Sequence, residues 1–285
     1  NDLAGNSTVD VAGNPTSQDT TTSITFDRTI PTLSGVTIAS TNTDWSDWAQ
    51  EGETITVSFT SSEPLSPEPT CSFTSGGDAL PEPGDPTDPP RVTVTDTSSG
   101  ARTGWTCSYD VVTGDTAGLV GFTIDAFDRS GNPLAPVNQT AASTTMTTDM
   151  TAPTLTVSAS TGTSRPDHVK AGDTVTLTLD SSGQQLEATP SCSFKTEDAD
   201  GNLIDVQGTA PNIAEVSSGG VWTNWTCAYT MVAGDTEGVV YYKIDANDLA
   251  GNSTVDVAGN PTSQDTTTSI TFDRTIPTLS GVTIA

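Results

Sequence analysis

The sequence NDLAGNSTVDVAGNPTSQDTTTSITFDRTIPTLSGVTIA, residues 1–39, occurs a second time, letter for letter, as residues 247–285. The two copies are offset by 246 residues (247 minus 1). A shorter period lies inside this one, because Pro31 recurs as Pro153 and again as Pro277. Exact identity indicates a recent duplication or a window on a longer periodic chain. Internal repeats of this kind predict an array of equivalent domains.

The periods divide the chain into two whole repeats and two fragments. Residues 28–149 and 150–273 are predicted to form one domain each. Residues 1–27 are predicted to be the C-terminal strand fragment of a preceding repeat, since they contain too little apolar surface to fold alone. Residues 274–285 then supply the first strand of the next repeat.

Short stretches of alternating apolar and polar residues, separated by turn-forming residues, fill both repeats. In the first repeat we predict seven strands, at residues 33–38, 53–59, 70–73, 91–95, 105–111, 119–127 and 143–147. The second repeat follows the same plan, except that residues 195–218 are predicted to be a long polar insert. No stretch shows a sustained helical period. The sequence therefore predicts an all-β protein of tandem antiparallel β-sandwiches with about seven strands each.

The four cysteines fall into one pair per repeat, with similar neighbours and nearly equal spacing. Cys71 and Cys107 are 36 residues apart, and Cys192 and Cys227 are 35 apart. Zinc would need more closely spaced ligands and more than the single histidine, His168. We therefore predict the disulfides Cys71–Cys107 and Cys192–Cys227, formed in an oxidising, extracellular compartment.

The charge balance excludes two classes of partner. Nine Lys and Arg against 36 Asp and Glu give a formal net charge of −27. Nucleic acids and anionic membranes bind basic patches, so neither is expected as a partner. No apolar run approaches the roughly 18 residues that a membrane helix needs, and no leader-like segment opens the sequence.

No constellation of residues for catalysis is evident, so we predict that the chain is not an enzyme. A single histidine and the absence of a serine or cysteine beside a base exclude the usual triads. A glycine-rich phosphate loop followed by a helix is also missing. The acids are scattered, and no organic cofactor is expected.

Several motifs together resemble the Ig-like domains of giant bacterial surface proteins. They are the Thr-x-Pro-Thr-Leu linker after Asp27 and Asp149, the Gly-Asp-Thr turns, and the Ile-Asp-Ala-x-Asp-x-x-Gly-Asn loops at 124–132 and 244–252. Such domains form tandem stalks of adhesins, and similar repeats occur in extracellular proteins of algae and other protists. The resemblance covers both whole repeats, although the cysteines depart from the bacterial pattern.

The resemblance implies a fibre or stalk at the cell surface whose partners are adjoining repeats or copies of the chain. An alternative is an adhesion module that binds glycans or another ligand through loops or through the exposed tryptophans Trp45 and Trp48. Trp105 and Trp225, two residues before a cysteine, are instead predicted to pack over the disulfides.

Calcium is predicted at the domain junctions, in keeping with the resemblance. In an Ig-like sandwich the loop after the sixth strand lies beside the arriving linker and the turn between the second and third strands. Grouped carboxylates there would repel one another unless a hard cation lay among them. The candidate ligands are Asp27, Glu63, Asp125 and Asp128 in the first repeat and Asp149, Asp245 and Asp248 in the second. The alternative is that these aspartates cap turns by accepting backbone hydrogen bonds.

Glycans are a further expectation for an extracellular chain. Acceptor sequons occur at Asn6, Asn138, Asn224 and Asn252. The pattern Trp-Ser-x-Trp at Trp45 resembles a C-mannosylation signal of secreted modules, with aromatic packing or a sugar-stacking surface as the alternative.

Overall fold

The computed structural model describes residues 26–80, 91–138, 144–216, 223–254, 258–259 and 269–280. These residues form two β-sandwiches, one from each whole repeat, and they contain no helix. In the described ranges no helix is long and apolar enough to cross a membrane. The predicted fragment 1–27 lies outside the described residues except for its last two positions.

Nine strands lie in the described part of the first domain. They are β1 (Leu33–Ser40), β2 (Trp48–Ala49), β3 (Thr54–Ser61), β4 (Thr70–Ser75), β5 (Asp78–Ala79), β6 (Val92–Asp96), β7 (Gly104–Asp110), β8 (Gly118–Asp125) and β9 (Thr147–Thr148). One sheet has the order β1-β3-β7-β6 and the other the order β2-β9-β8-β4-β5. Among the described strands of this domain, every pair is antiparallel except β2 with β9. The chain therefore passes from one sheet in β1 to the other sheet in β2, where it lies beside the last strand, β9.

The second domain has the same arrangement. Its strands are β10 (Thr156–Ser160), β11 (His168–Val169), β12 (Thr174–Asp180), β13 (Ser191–Glu197), β14 (Leu203–Asp205), β15 (Asn212–Glu215), β16 (Asn224–Thr230), β17 (Gly238–Asp245), β18 (Ala258–Gly259) and β19 (Thr271–Phe272). The sheets run β10-β12-β16-β15 and β11-β19-β17-β13-β14, with β18 on β17. Both domains are Ig-like antiparallel sandwiches, as the sequence predicts.

Strict alternation on the central strands creates each core. In the first domain Ile55, Val57 and Phe59 face inward from β3, and the register places Val57 opposite Cys107 and Phe59 opposite Trp105 on β7. The second domain has the matching register, with Leu177 opposite Cys227. Burying each large apolar side chain stabilises the fold by roughly 1.5–3 kcal/mol.

Two of the predicted segments need correction. Residues 195–218 are not one polar insert, because β13 continues to Glu197, β14 forms a hairpin with it, and β15 pairs with β16. β15 is an edge strand whose residues are exposed apart from the half-buried Ile213, so its sequence lacks a clear apolar alternation. The last strand of the first domain is short, Thr147–Thr148, because it pairs only with the start of β8 and with β2.

Candidate functional site at the domain poles

The loops and linkers of each sandwich lie at its two opposite ends. We call the end where the preceding linker arrives and β1 or β10 begins the N-terminal pole, and the end where the following linker leaves the C-terminal pole. The loop after β8 or β17 and the turn after β3 or β12 lie at the N-terminal pole. The loop between β1 and β2, or between β10 and β11, lies at the C-terminal pole.

Three of the predicted calcium ligands meet at the N-terminal pole of the first domain. Carboxylate oxygens of Asp27, Glu63 and Asp128 lie within 4.8 Å of one another. We call these three residues the acid cluster. Asp125 does not join it, because it is still part of β8, opposite Thr70, with its side chain exposed.

Asp128 holds the loop in which it lies. Its Oδ1 accepts hydrogen bonds from the backbone N–H groups of Ser130 and Asn132, at 2.7 and 2.9 Å. Its Oδ2 accepts one from the Asn132 side chain at 2.7 Å. Desolvation, the largest single influence, raises the pKa of Asp128, but the hydrogen bonds from Asn132, Ser130 and Gly131 together hold this pKa below its ordinary value. Asp128 therefore caps its own turn by accepting backbone hydrogen bonds, which is the alternative to calcium binding that the sequence left open.

The neighbouring carboxylates of the acid cluster act on the pKa of Glu63. Burial, followed by the negative charges of Asp27 and Asp128, raises the pKa of Glu63. Calcium takes about six to eight oxygen ligands, and the cluster offers three carboxylates, of which Asp128 is already engaged with its own loop. The oxygen chemistry fits calcium and the coordination is partial, so calcium at this pole stays a prediction.

In the second domain the equivalent groups are engaged in other contacts. Gln184 stands in the place of Glu63, and its Nε2 donates to Asp248 Oδ2 at 3.3 Å. Asp245 pairs with Lys243 Nζ at 2.8 Å. Desolvation raises the pKa of Asp248, the hydrogen bonds from Asn252 lower it, and the charge of Asp149 raises it further. Among the described residues, the ligands predicted for the second domain do not form a second group of three carboxylates. These ligands are Asp149, Asp245 and Asp248.

The two domains contact each other directly at the junction between them. Asn42, on the loop that follows β1, is 9% exposed, and its Nδ2 donates to the carbonyl oxygens of Leu249 and Ala250, each at 3.2 Å. Gly251 lies so close to Gln50 that a Cβ at this position would come within 2.8 Å of Gln50 Nε2. The C-terminal pole of the first domain thus covers the loop after β17 of the second.

The same junction brings two carboxylates together. Burial raises the pKa of Glu187, which a hydrogen bond from Asn247 lowers and the nearby Asp44 raises again. Asp44 belongs to the first domain and Glu187 to the turn after β12 of the second. The junction therefore favours protonation of Glu187.

The C-terminal pole of the second domain is open among the described residues. A recess of about 380 Å³ lies there, lined by Arg165, His168, Lys170 and the linker residue Asp273, with Thr163, Ser164, Val169 and Asp173. Lys170 pairs with Asp173 at 3.3 Å and His168 with Asp167 at 3.2 Å. Within the described part of the chain, the Arg165 guanidinium has no salt bridge.

The disulfides join the two sheets of each sandwich. Cys71 on β4 is bonded to Cys107 on β7, and Cys192 on β13 to Cys227 on β16, the pairs that the spacing predicts. The adjacent Trp105 is buried, and its Nε1 donates to the Arg102 carbonyl at 3.1 Å. The cysteines therefore have a structural role in each core.

Sequence reasoning missed a buried aspartate in each domain. Asp235 is fully buried and accepts hydrogen bonds from the Tyr229 hydroxyl at 3.0 Å and from the backbone N–H groups of Val232 and Gln207, at 2.8 and 2.7 Å. Asp115 holds the equivalent turn of the first domain. The signal was available, because both residues belong to a Gly-Asp-Thr tripeptide that follows a tyrosine strand.

The predicted glycan acceptors differ in what their side chains do. Asn138 is exposed, whereas Asn6 lies outside the described residues. Asn224 is half-buried on β16, and its Nδ2 donates to Thr223 Oγ1. Asn252 Nδ2 donates to the Asp149 carbonyl at 2.9 Å and to Asp248 Oδ2 at 3.0 Å. Since these bonds use both amide protons, the expectation of a glycan at Asn252 conflicts with the structure.

Trp45, the predicted C-mannosylation site, is half-buried on the loop that carries Asn42. Its backbone N–H donates to Asn42 Oδ1 at 3.0 Å, so it belongs to the turn that positions the Asn42 amide.

No family model matches the sequence, and no curated protein matches it. Among solved structures, a chain described as a marsupial T cell receptor is similar over 85% of this chain and 75% of that chain, with 11% sequence identity and a TM-score of 0.42. This likeness carries no inference about activity, ligands or partners.

Proposed function

We propose that the chain is a structural segment of an extracellular fibre or stalk, with no catalysis, in which tandem Ig-like domains hold a fixed distance. One observation carries the proposal: the buried amide of Asn42 on the first domain donates to two carbonyl oxygens on the second. A fixed junction converts a string of domains into a stiff rod, whereas a bare linker would leave them free to rotate.

The linker supports the same conclusion because it is short and its first residue, Asp149, is held by hydrogen bonds. Asp149 Oδ1 accepts a hydrogen bond from the Thr151 N–H, and its carbonyl accepts one from Asn252 in the second domain. The proline Pro153 follows closely and fixes its own φ. The start of the linker and the φ angle of Pro153 are therefore constrained.

An extracellular location is supported by the disulfide in each domain and by the Ig-like fold. The excess of 36 acidic over nine basic residues suits a soluble, self-repelling surface. The proposed partners are adjoining repeats or copies of this chain.

The alternative, a glycan-binding module, depends on the loop that carries Trp45 and Trp48. Both side chains are half-buried, and the loop is engaged with the second domain through Asn42. A loop that packs on the next domain favours the structural role over ligand capture.

Small-angle X-ray scattering and negative-stain images of the chain test the proposal. We expect an extended particle about 70–90 Å long, from strands near 3.3 Å per residue plus loops, with little hinge motion. A folded-back or freely hinged pair of domains would contradict the proposal. So would saturable binding of an oligosaccharide that quenches tryptophan fluorescence and is lost in Trp48→Ala.

A further inference from the structure

We infer that the C-terminal pole of the second domain is the docking surface for the N-terminal pole of another copy of the first domain, with Arg165 and Lys170 facing the acid cluster. The inference rests on the proposed function and adds to it the chemistry of the second kind of junction. In the array the domains alternate, so this junction differs from the one between the two described domains.

A shared linker residue places the two surfaces side by side. Residues 273–280 repeat residues 27–34, so Asp273 and Asp27 are the same position of the repeat. Asp27 belongs to the acid cluster. Asp273 lines the recess that contains Arg165, His168 and Lys170. Wherever a first domain follows Asp273 as it follows Asp27, its acid cluster therefore lies next to this recess.

The described junction gives the geometry of the contact. There Gln50, which directly follows β2, lies against Gly251 on the loop after β17. Lys170 directly follows β11, the equivalent of β2, and Gly131 takes the place of Gly251. By equivalence Lys170 lies against the loop of residues 128–132, which Asp128 holds closed.

Charges change on both sides of the contact together. Relative to the described junction, the docking side replaces Asn42 by Gly162, Trp45 by Arg165 and Gln50 by Lys170, so charged side chains stand in for the Asn42 amide contact. The receiving side replaces Gln184 by Glu63, since each lies two residues before the leucine that bridges to the loop aspartate. Two cations thus appear on one surface where an additional acid appears on the other.

The inferred junction also lacks a repulsion between two carboxylates that is present at the described junction. At the described junction Asp44 faces Glu187, and at the inferred one the equivalent positions are Ser164 and Ser66. Arg129 adds a positive charge to the receiving pole, and Asp167, which also contacts His168, lies on the docking side. The pairing is therefore complementary on balance, although each surface carries both signs.

Apolar surface at the receiving pole points to a protein partner. Phe127 is 45% exposed and Ile30 is 55% exposed, and the second domain has Asn247 and Ala152 at these places. Both lie beside the acid cluster, Phe127 next to Asp128 and Ile30 in the linker after Asp27. Docking of a second domain onto this pole would bury them.

The test uses the full chain extended after Ala285 by its own residues 40–149, which completes another first domain. At high dilution a carbodiimide couples lysine to a touching carboxylate without a spacer. Lys170 can couple to its own neighbour Asp173, and we expect it to couple in addition to the acid cluster of the added domain, with Glu63 as the main site. The chain has two other lysines, Lys195 and Lys243, which serve as internal references.

A matched pair of variants separates docking from chance reaction. Glu63→Gln in the added domain should remove this cross-link, whereas Glu63→Gln in the original first domain, two domains away, should leave it unchanged. Arg165→Ala should lower the yield by about 1.5- to 5-fold, the range for one exposed ion pair. Lys195→Gln should have no effect. Equal loss in both Glu63 variants, or no cross-link from Lys170 to the added domain, would refute the docking.

Scattering on the same samples distinguishes this inference from the proposed function. A rigid three-domain rod without the Lys170 cross-link overturns the docking surface and leaves the fibre intact. A cross-linked but folded-back chain supports the docking and contradicts the fibre. Chelation by EDTA should change neither readout; a cross-link that requires calcium would overturn direct pairing and support calcium at the acid cluster.

Discussion

Asn42→Asp is the substitution that tests the rigid junction most directly. Asn42 Oδ1 accepts hydrogen bonds from the N–H groups of Asp44 and Trp45, each at 3.0 Å, and this turn is kept because a carboxylate also accepts. The Nδ2 that donates to Leu249 and Ala250 is replaced by an oxygen that faces two carbonyl oxygens. The variant therefore removes the contact between domains while sparing the local fold.

The size of the effect follows from the two lost hydrogen bonds. Each contributes about 0.5–1.5 kcal/mol, so the docked state should lose about 1–3 kcal/mol. Since about 1.4 kcal/mol is a factor of ten in an equilibrium constant, the undocked population should rise about 5- to 150-fold.

Small-angle scattering over a temperature series measures that population through the spread of interdomain distances. Thr43→Ala is the control, because the Thr43 side chain bonds only weakly, at 3.4 Å, to the neighbouring Asp44. We expect the control to scatter like the parent and Asn42→Asp to scatter like two hinged domains. An unchanged, rigid profile for Asn42→Asp would show that the Asn42 contact does not fix the junction.

Three further outcomes are expected. Burial, with the nearby Asp44, raises the pKa of Glu187 above its ordinary value of 4.5. The protonated carboxyl therefore stabilises the junction fully below pH 4.5, and this stabilisation is lost as the pH rises through the raised pKa. Scattering should show interdomain motion that increases with pH, and Glu187→Gln should flatten this dependence. Asp235→Ala should destabilise the second domain by about 2–5 kcal/mol in a denaturant melt, since it leaves a buried tyrosine hydroxyl and two backbone N–H groups without their acceptor; a loss below about 1 kcal/mol would contradict that role. Replacing Cys71 and Cys107 by serine should cost the first domain about 4 kcal/mol, from a closed loop of 36 residues, and peptide mapping without reductant should return this pair in the parent.

Strands with strict alternation could be predicted from the sequence, and weakly patterned edge strands could not. β3 and β7 are buried at every second residue, so their apolar residues mark them. β15 has no fully buried residue, and its four positions look like a loop. An edge strand packs on one side only, which leaves few positions where an apolar side chain is required.

The candidate site was predictable as far as it depends on topology. Strand order alone brings Asp27, Glu63 and Asp128 to one pole, and the structure has them together. The sequence predicts Asp125 as a fourth member because only two residues separate it from Asp128, but β8 continues through Asp125 and its side chain is exposed. The Asn42 contact joins loops that are 207 residues apart and depends on the orientation of two domains, which no local pattern encodes.

The disulfide between the sheets has a consequence for a chain under tension. Pulling on both ends of the first domain loads the backbone outside residues 71–107, because the covalent bond between Cys71 and Cys107 bypasses the segment between them. Of the 122 residues from 28 to 149, about 86 can then be drawn out, which is roughly 300 Å of extended chain instead of roughly 430 Å. Each domain would thus extend under load by a limited length, because its disulfide keeps part of the chain closed as a loop.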